Sequence, residues 1–252
     1  MIATDNRYQS RGIIVTFVNP IINSLHKDNS VELVRYALHD PAKFKLVDPA
    51  LAQHAPDPAA ANLLIAAFEA GTAPAWLVAY LLGRIGADCG YATVRAIVLA
   101  ALGQLAESYA AVAMVRIRGA QAFADLAELL NTAPQRASRE AAANGLAEFG
   151  SAEAAEYILA AGRAQTIRLN IAGGLLGRLP CNQAQIAELL TSDQAAHVRL
   201  ALIVVKAMAL NHVSDSRPEQ ALIAALEQTL ANPAIAMAPQ TRRNLTRWII
   251  RA

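Results

Sequence analysis

Apolar residues recur three and four positions apart in a series of short segments, each bounded by Pro, Gly, Asn, Ser or Thr. This spacing puts the apolar side chains along one side of an α-helix, so every segment predicts an amphipathic helix. The segments fall into two groups that alternate along the chain. We name the first group A helices; they are predicted at residues 122–130, 152–162, 183–190 and 219–230. The second group, the B helices, is predicted at residues 95–106, 138–150, 167–179 and 198–210.

The B helices share an arginine near the start and a small residue near the end. The arginines are Arg95, Arg139, Arg168 and Arg199, and the small residues are Gly103, Ala147, Gly177 and Ala207. The last three small residues are thirty positions apart, a period typical of two-helix repeats that stack on their neighbours. The interval before Ala147 is longer. Its excess, residues 107–120, predicts an extended or additional helix in an irregular repeat rather than a domain boundary.

The small residues are expected to let neighbouring helices approach closely. A glycine inside a helix costs about 1 kcal/mol relative to alanine, and close packing would offset that cost. The same explanation is expected to hold for Gly173, Gly174 and Gly177 in the stretch "AGGLLG". In the first B helix the predicted core residues are Ile97, Val98, Ala101, Leu102 and Leu105.

Three B helices also resemble a known repeat. The pairs Val94-Arg95, Ile167-Arg168 and Val198-Arg199 open them, and Leu102-Gly103 and Leu176-Gly177 close two of them. Over about residues 74–230 this pattern resembles the HEAT-like repeats named for phycobilisome lyase subunits, although the family's Asp-Pro turn is missing. The resemblance implies an all-α fold, an α-α superhelix (HEAT-like α-solenoid) with an atypical N-terminal cap. We predict a partly irregular cap at residues 1–58 and a HEAT-like repeat array, continuous with it, at residues 59–252.

The cap region gives three local expectations. Residues 29–40 predict a helix with Asn29 or Ser30 as its N-cap, and residues 12–20 fit either a strand or the start of an apolar helix. Four prolines make residues 39–58 the most loop-like part of the chain. The apolar run near the N-terminus is interrupted by Asn and Pro, and no small-residue cleavage site follows it, so no signal peptide is expected.

The composition narrows the class of protein. Hydrophobic residues make up 55% of the chain but aromatic residues only 5%, a mixture that favours closely packed helices over a β-sandwich. The longest apolar stretch without a charge, residues 70–83, is shorter than the roughly 18 to 20 residues that cross a bilayer, so no membrane span is expected. Cys89 and Cys181 form no C-x-x-C pair, and we expect buried, inert thiols in the reducing cytoplasm.

Motifs for catalysis or metal binding are sparse. None of the five histidines precedes a glutamate, and the sequence has no H-E-x-x-H, paired-cysteine or phosphate-loop motif. We therefore predict no catalytic, cofactor-binding or metal-ligating residue, and the sequence leans against an enzyme without excluding one. The net charge of +2 is too small to imply binding to a polyanion by itself.

These features predict a non-catalytic protein-binding scaffold or adaptor that uses the concave face of a HEAT-like solenoid. By helical phase, the outward positions of the B helices form a candidate partner-binding surface. It consists of Arg95, Leu99, Gln104, Arg139, Glu140, Asn144, Glu148, Asn170, Arg178, Arg199 and Lys206.

Two alternative functions stay open. Alkylpurine DNA glycosylases resemble this chain in using HEAT-like solenoids, and a stripe of arginines with added cations would bind nucleic-acid phosphates. That stripe would contain Arg95, Arg139, Arg168, Arg199 and Arg243, widened by Arg178 and Lys206. The favoured explanation of these arginines is that their stems pack across repeats while their charged ends pair with Glu or stay in water. The resemblance to lyase subunits also implies an accessory or chaperone role in attaching a bilin.

Overall fold

The structure is a computed structural model that describes residues 29–53, 56–211, 218–235 and 237–251, and every regular element in these ranges is helical. The predicted element at residues 12–20 lies outside the described residues. None of the described helices is both long and apolar enough to cross a membrane. In chain order the α-helices are α1 (Ser30–His39), α2 (Phe44–Leu51), α3 (Pro58–Glu69), α4 (Ala75–Ile85), α5 (Tyr91–Ala100), α6 (Gln104–Arg118), α7 (Ala122–Thr132), α8 (Arg136–Ala147), α9 (Ala152–Arg163), α10 (Leu169–Leu176), α11 (Gln183–Leu190), α12 (Ala195–Asn211), α13 (Gln220–Ala231) and α14 (Pro239–Arg251).

The chain divides into two compact units, Met1–Gly119 and Ala120–Ala252. The predicted division into a cap and a repeat array at residue 58 stays a prediction. In the first unit, α6 packs against both α4 and α5. Gly83 lies where α4 meets α6, and a Cβ added there would be 2.8 Å from the Cβ of Ala113. The absence of a side chain at Gly83 therefore allows these two helices to touch through their backbones.

Polar side chains fix the starts of several helices. Asn29 accepts a hydrogen bond from the backbone amide of Val31 at 3.0 Å, so Asn29, of the two predicted candidates, is the N-cap of α1. Ser151 and Asn182 cap α9 and α11 in the same way. Such a cap satisfies an amide that has no partner inside the helix and contributes about 1 kcal/mol.

The prediction that residues 39–58 form the most loop-like part of the chain is wrong for the segment covered by α2. This helix includes Pro49, one of the four prolines on which the prediction rested. Val47 and Leu51 lie four positions apart on α2, and both are buried. The packing of α2 against α4 thus outweighs the hydrogen bond that the proline cannot donate.

The prediction of one B helix over residues 95–106 is wrong in its second half. Helix α5 ends at Ala100, and α6 begins at Gln104. Between them Gly103 has a φ of 134°, a conformation that favours glycine, and nothing lies within 4 Å of the place a Cβ would take. Gly103 is therefore a turn residue and not a close-packing position, and α6 is the additional helix among the two alternatives for residues 107–120.

The predicted core of this stretch divides at the same point. Ile97 and Val98 are fully buried in α5, as predicted. Leu102 and Leu105, which were also predicted to be in the core, are each 55% exposed. They are exposed because the chain turns after Ala100 instead of continuing the helix.

In the second unit the predicted alternation of helices is confirmed. The A helices are α7, α9, α11 and α13, and the B helices α8, α10 and α12 lie between them in the sequence. Helix α10 packs against the B helices on either side of it, α8 and α12, while α13 packs against the A helix α11. Each B helix thus has a B neighbour, which buries apolar sides that a single helix would leave in water.

Gly173 in α10 and Gly177, the C-cap of α10, allow α10 and α12 to approach each other closely. A Cβ on Gly173 would lie 2.4 Å from the Cγ2 of Ile203, and one on Gly177 would lie 2.2 Å from the Cβ of Ala207. The close-packing prediction is therefore confirmed at these two positions. It is wrong for Gly174, where no atom lies within 4 Å of an added Cβ, because this glycine points away from α12.

The two thiols have different surroundings. Cys181 is half-buried and donates a hydrogen bond to the carbonyl of Leu176 at 3.0 Å, and burial raises its pKa to about 12. Cys89 is exposed, so the prediction of a buried thiol is wrong there. It lies in a short 3₁₀ turn, Asp88–Gly90, in which Gly90 is the buried residue.

Candidate partner-binding surface

Part of the candidate surface lies in the first unit. Arg95 and Leu99 are half-buried residues of α5, and Gln104 is the first residue of α6. Gln104 is exposed, but its assignment to a B helix is wrong because α5 ends before it. The remaining candidate residues belong to the second unit.

Arg139 has a structural role in the second unit. Its guanidinium donates to three backbone carbonyls, those of Ala133 at 2.6 Å, Thr166 at 3.0 Å and Pro134 at 3.2 Å. These carbonyls lie in the turns that precede α8 and α10, so one side chain joins two successive B-helix starts. The half-buried Arg139 therefore joins the two helix starts, and its Nε and Nη1 donors are used within the protein.

Glu140 was predicted to face outward, and the structure contradicts this. The residue is only 4% exposed, and Arg168 from the next B-helix start covers its carboxylate. The guanidinium donates to it at 2.6 Å from Nη2 and 2.8 Å from Nε, and the backbone amide of Arg168 adds a bond at 2.9 Å. Helical phase gives the side of α8 on which Glu140 lies, but it does not show that Arg168, 28 positions away in the sequence, covers that side chain.

The environment of Glu140 also acts on its ionisation. Burial by itself would raise the pKa of this carboxyl. The hydrogen bonds from Arg168, together with the positive charges of Arg168 and Arg136, outweigh burial and hold the pKa of Glu140 below its ordinary value. The carboxylate is therefore charged at neutral pH and binds α8 to the start of α10.

The other candidate residues of the second unit are accessible. Asn144 is half-buried on α8, whereas the rest are exposed: Glu148, Asn170, Arg178, Arg199 and Lys206. Arg199 and Lys206 are both on α12, seven positions apart. Because an α-helix has 3.6 residues per turn, their side chains leave the same side of α12 about two turns apart.

A cleft of about 310 Å³ opens at the starts of the B helices of the second unit. Three arginines line it: Arg136 at the start of α8, Arg168 before α10 and Arg199 on α12. Gln165 and Asn170 add polar side chains, and no Asp or Glu belongs to the described lining. Within the described part of the chain, neither Arg136 nor Arg199 makes a hydrogen bond or ion pair. The cleft thus brings together three cations, of which Arg168 is ion-paired with Glu140 and Arg136 acts on the same carboxylate through its charge alone.

Sequence reasoning missed Arg136. The repeat alignment assigned one arginine to each B-helix start, and in α8 that position belongs to Arg139. Arg136 is the first residue of the same helix, and a second cation within one turn was the available signal.

A larger cavity, of about 820 Å³, lies beside the turn between α11 and α12. Its wall combines apolar residues such as Val198 and Leu202 with polar ones such as Asp193 and Gln228. Arg199 lines this cavity as well as the smaller cleft. The exposed side of α12 near Arg199 therefore borders two concave regions of the second unit.

Residues able to hold a metal are not grouped in the part of the chain that the structure describes, where no three of His, Cys, Asp and Glu come together. Ser192 lies 3.2 Å from Nδ1 of His197, and its hydroxyl also accepts the backbone amide of Gln194 at 3.2 Å. These contacts close the turn before α12. His197 itself lies in the first turn of α12.

Comparisons with known proteins give no family for this chain. No protein-family model matches it, and neither the curated proteins nor the solved structures contain a match.

Proposed function

We propose that this chain is a non-catalytic protein-binding scaffold or adaptor, and that the B-helix side of its second unit is the binding surface. In this proposal the helices form a HEAT-like superhelix, and the cytoplasm is its location. The supporting observation is that the polar residues of α8, α10 and α12 fall into two sets. Some of them bind other groups of the protein, while a neighbouring set is exposed and has no hydrogen-bond or ion-pair partner among the residues that the structure describes.

The internal set makes the surface rigid. Arg139 binds carbonyls of two successive turns, and Arg168 holds the carboxylate of Glu140, so α8 and α10 are joined by ionic and backbone hydrogen bonds. A rigid surface loses little conformational entropy when a partner binds, which favours affinity. The exposed set, which includes Arg178, Arg199 and Lys206, is positively charged and therefore fits a partner of negative charge.

The test is charge reversal at the exposed positions. A partner recovered from the native organism would be purified and its affinity measured for the wild-type chain and for Arg178→Glu combined with Lys206→Glu. The proposal expects the variant to bind at least about tenfold more weakly, because two attractive contacts become repulsive. Arg163→Glu is the matched control, since this exposed arginine ends the A helix α9 and should not contact the partner. Equal affinity of the double variant and the wild type would mean that the surface is wrong.

Nucleic acid is a second candidate, favoured by the same exposed cations. Duplex binding through phosphates weakens steeply with salt, so affinities at two salt concentrations separate it from protein binding. Against it, Arg139 and Arg168 of the proposed stripe already bind groups within the protein. Loss of all duplex affinity even at low salt would end this candidate.

The accessory role in bilin attachment rests on the resemblance to lyase subunits alone. Coexpression of a phycobiliprotein with and without this chain tests it. Equal chromophore attachment in both cases would remove that role.

A further inference from the structure

We propose that the cleft of about 310 Å³ between the B-helix starts binds a phosphate-monoester group. The existence of the site does not depend on the proposed function, but assigning the phosphate to a partner protein does rest on it. The argument starts from the charges that line the cleft.

The cleft has an unbalanced positive charge. Arg136, Arg168 and Arg199 each contribute one positive charge, Glu140 beneath Arg168 contributes one negative charge, and no Asp or Glu belongs to the described lining itself. Two positive charges therefore remain in excess. A phosphate monoester near neutral pH carries about −1.5 to −2, which matches this excess, whereas a carboxylate or a phosphodiester carries only one negative charge.

The geometry of the donors also suits an oxyanion. Guanidinium groups present planar pairs of N–H donors that match phosphate oxygens, and those of Arg136 and Arg199 have no acceptor in the described part of the chain. Leu169 and Asn170 also line the cleft, and they open α10, where the first backbone amides have no acceptor inside the helix. The cleft thus combines a helix start with two arginines that have no hydrogen-bond acceptor among the described residues.

Gln165 supplies a further indication. Its φ is 55°, a left-handed conformation in which glycine is the usual residue at the end of a helix. The chain carries glutamine at this strained position, and the residue lines the cleft. The side-chain amide of Gln165 can donate a hydrogen bond to an anion in the cleft, which a glycine at this position could not do.

The experiment titrates the full chain with small phosphates at about pH 8, where a monoester is almost fully dianionic. The probes are inorganic phosphate, a phosphoserine peptide and its unphosphorylated form. We expect both phosphates to bind and the unphosphorylated peptide not to bind. The variant Arg136→Gln with Arg199→Gln should weaken phosphate binding at least about tenfold, because it removes two charged donor groups. Arg163→Gln, the same change on an A helix, should leave phosphate binding unchanged.

Two outcomes would overturn the site. One is equal phosphate affinity in the double variant and the wild type; the other is an equal loss in Arg163→Gln, which would show a general charge effect. If the double variant does not fold, Arg199→Gln alone gives the same test. Tighter binding of the phosphopeptide than of inorganic phosphate assigns the group to a partner protein, and equal binding assigns it to a free phosphate compound.

A duplex DNA arm separates nucleic acid from this assignment. The double variant should bind duplex DNA as strongly as the wild type does. Added inorganic phosphate should not displace DNA from the wild-type chain. Duplex binding that disappears in the double variant, without any binding of the small phosphates, would replace the proposal by a nucleic-acid surface. If the chain binds phosphate but no partner protein, the proposed function would be contradicted, whereas the phosphate site would be supported.

Discussion

Replacement of Gly177 by alanine is expected to destabilise the second unit, whereas the same replacement at Gly174 is expected to stabilise it. The two glycines lie three positions apart, at the end of α10, but only one faces α12. A Cβ on Gly177 would lie 2.2 Å from the Cβ of Ala207 and 3.0 Å from its carbonyl carbon. Because backbone atoms are involved, a side-chain rotation cannot relieve the overlap.

The magnitudes follow from these distances. Two carbon atoms pack best about 3.5–4.0 Å apart, so α10 and α12 must separate by more than about 1 Å to accept the new methyl group. Overpacking of this kind costs about 1–3 kcal/mol. At Gly174 nothing lies within 4 Å, and the helix gains about 1 kcal/mol because alanine has the higher helix propensity.

Urea unfolding followed by circular dichroism measures both free energies. The midpoint temperature is a second readout, with a shift of about 2–4 °C expected for each kcal/mol. Gly174→Ala is the matched control, since it adds the same methyl group near the same helix end. The reasoning would be refuted if Gly177→Ala left the free energy of unfolding unchanged, or if both variants shifted it in the same direction.

Three further predictions concern charge, exposure and thiol chemistry. Glu140→Gln should lower the free energy of unfolding by about 1–3 kcal/mol at pH 7. Because the folded-state pKa of Glu140 is lowered, this contribution is present above about pH 4.5 and is lost as the pH falls through the folded value, so acid unfolding curves of the two proteins should converge. Leu102→Ala should change the free energy of unfolding by less than about 0.5 kcal/mol, whereas Ile97→Ala should cost about 2–5 kcal/mol, as urea titrations would show. At pH 8 the exposed Cys89 should react with a thiol reagent much faster than Cys181, whose pKa is about 12; mass spectrometry of the labelled peptides reads this out, and equal rates would contradict the assigned burial.

Hydrophobic periodicity predicted the helices of the second unit well because their apolar residues recur three and four positions apart along each helix. Helix α11, Gln183–Leu190, coincides with its predicted range, and α12 contains the predicted B helix. The same method could not place the end of α5. Gly103 looks like a packing residue in an apolar run, and only the backbone conformation distinguishes it from a turn.

The candidate surface was predictable only in part. Exposure of Arg199 and Lys206 follows from helical phase, which a sequence encodes. Burial of Glu140 does not, because it depends on Arg168 reaching across from the next repeat. The favoured explanation of the repeated arginines expects their charged ends to pair with Glu or stay in water. Arg168 does pair with Glu140, whereas the guanidinium of Arg139 donates to backbone carbonyls.

Hydrogen exchange measured with and without the recovered partner tests the central claim most directly. The account predicts that binding slows exchange in the B-helix side of the second unit, at the start of α10 and along α12 from Arg199 to Lys206. The A helices α9 and α11 should exchange at the same rates in both states. Protection confined to the A helices, or to the first unit, would contradict the proposed binding surface.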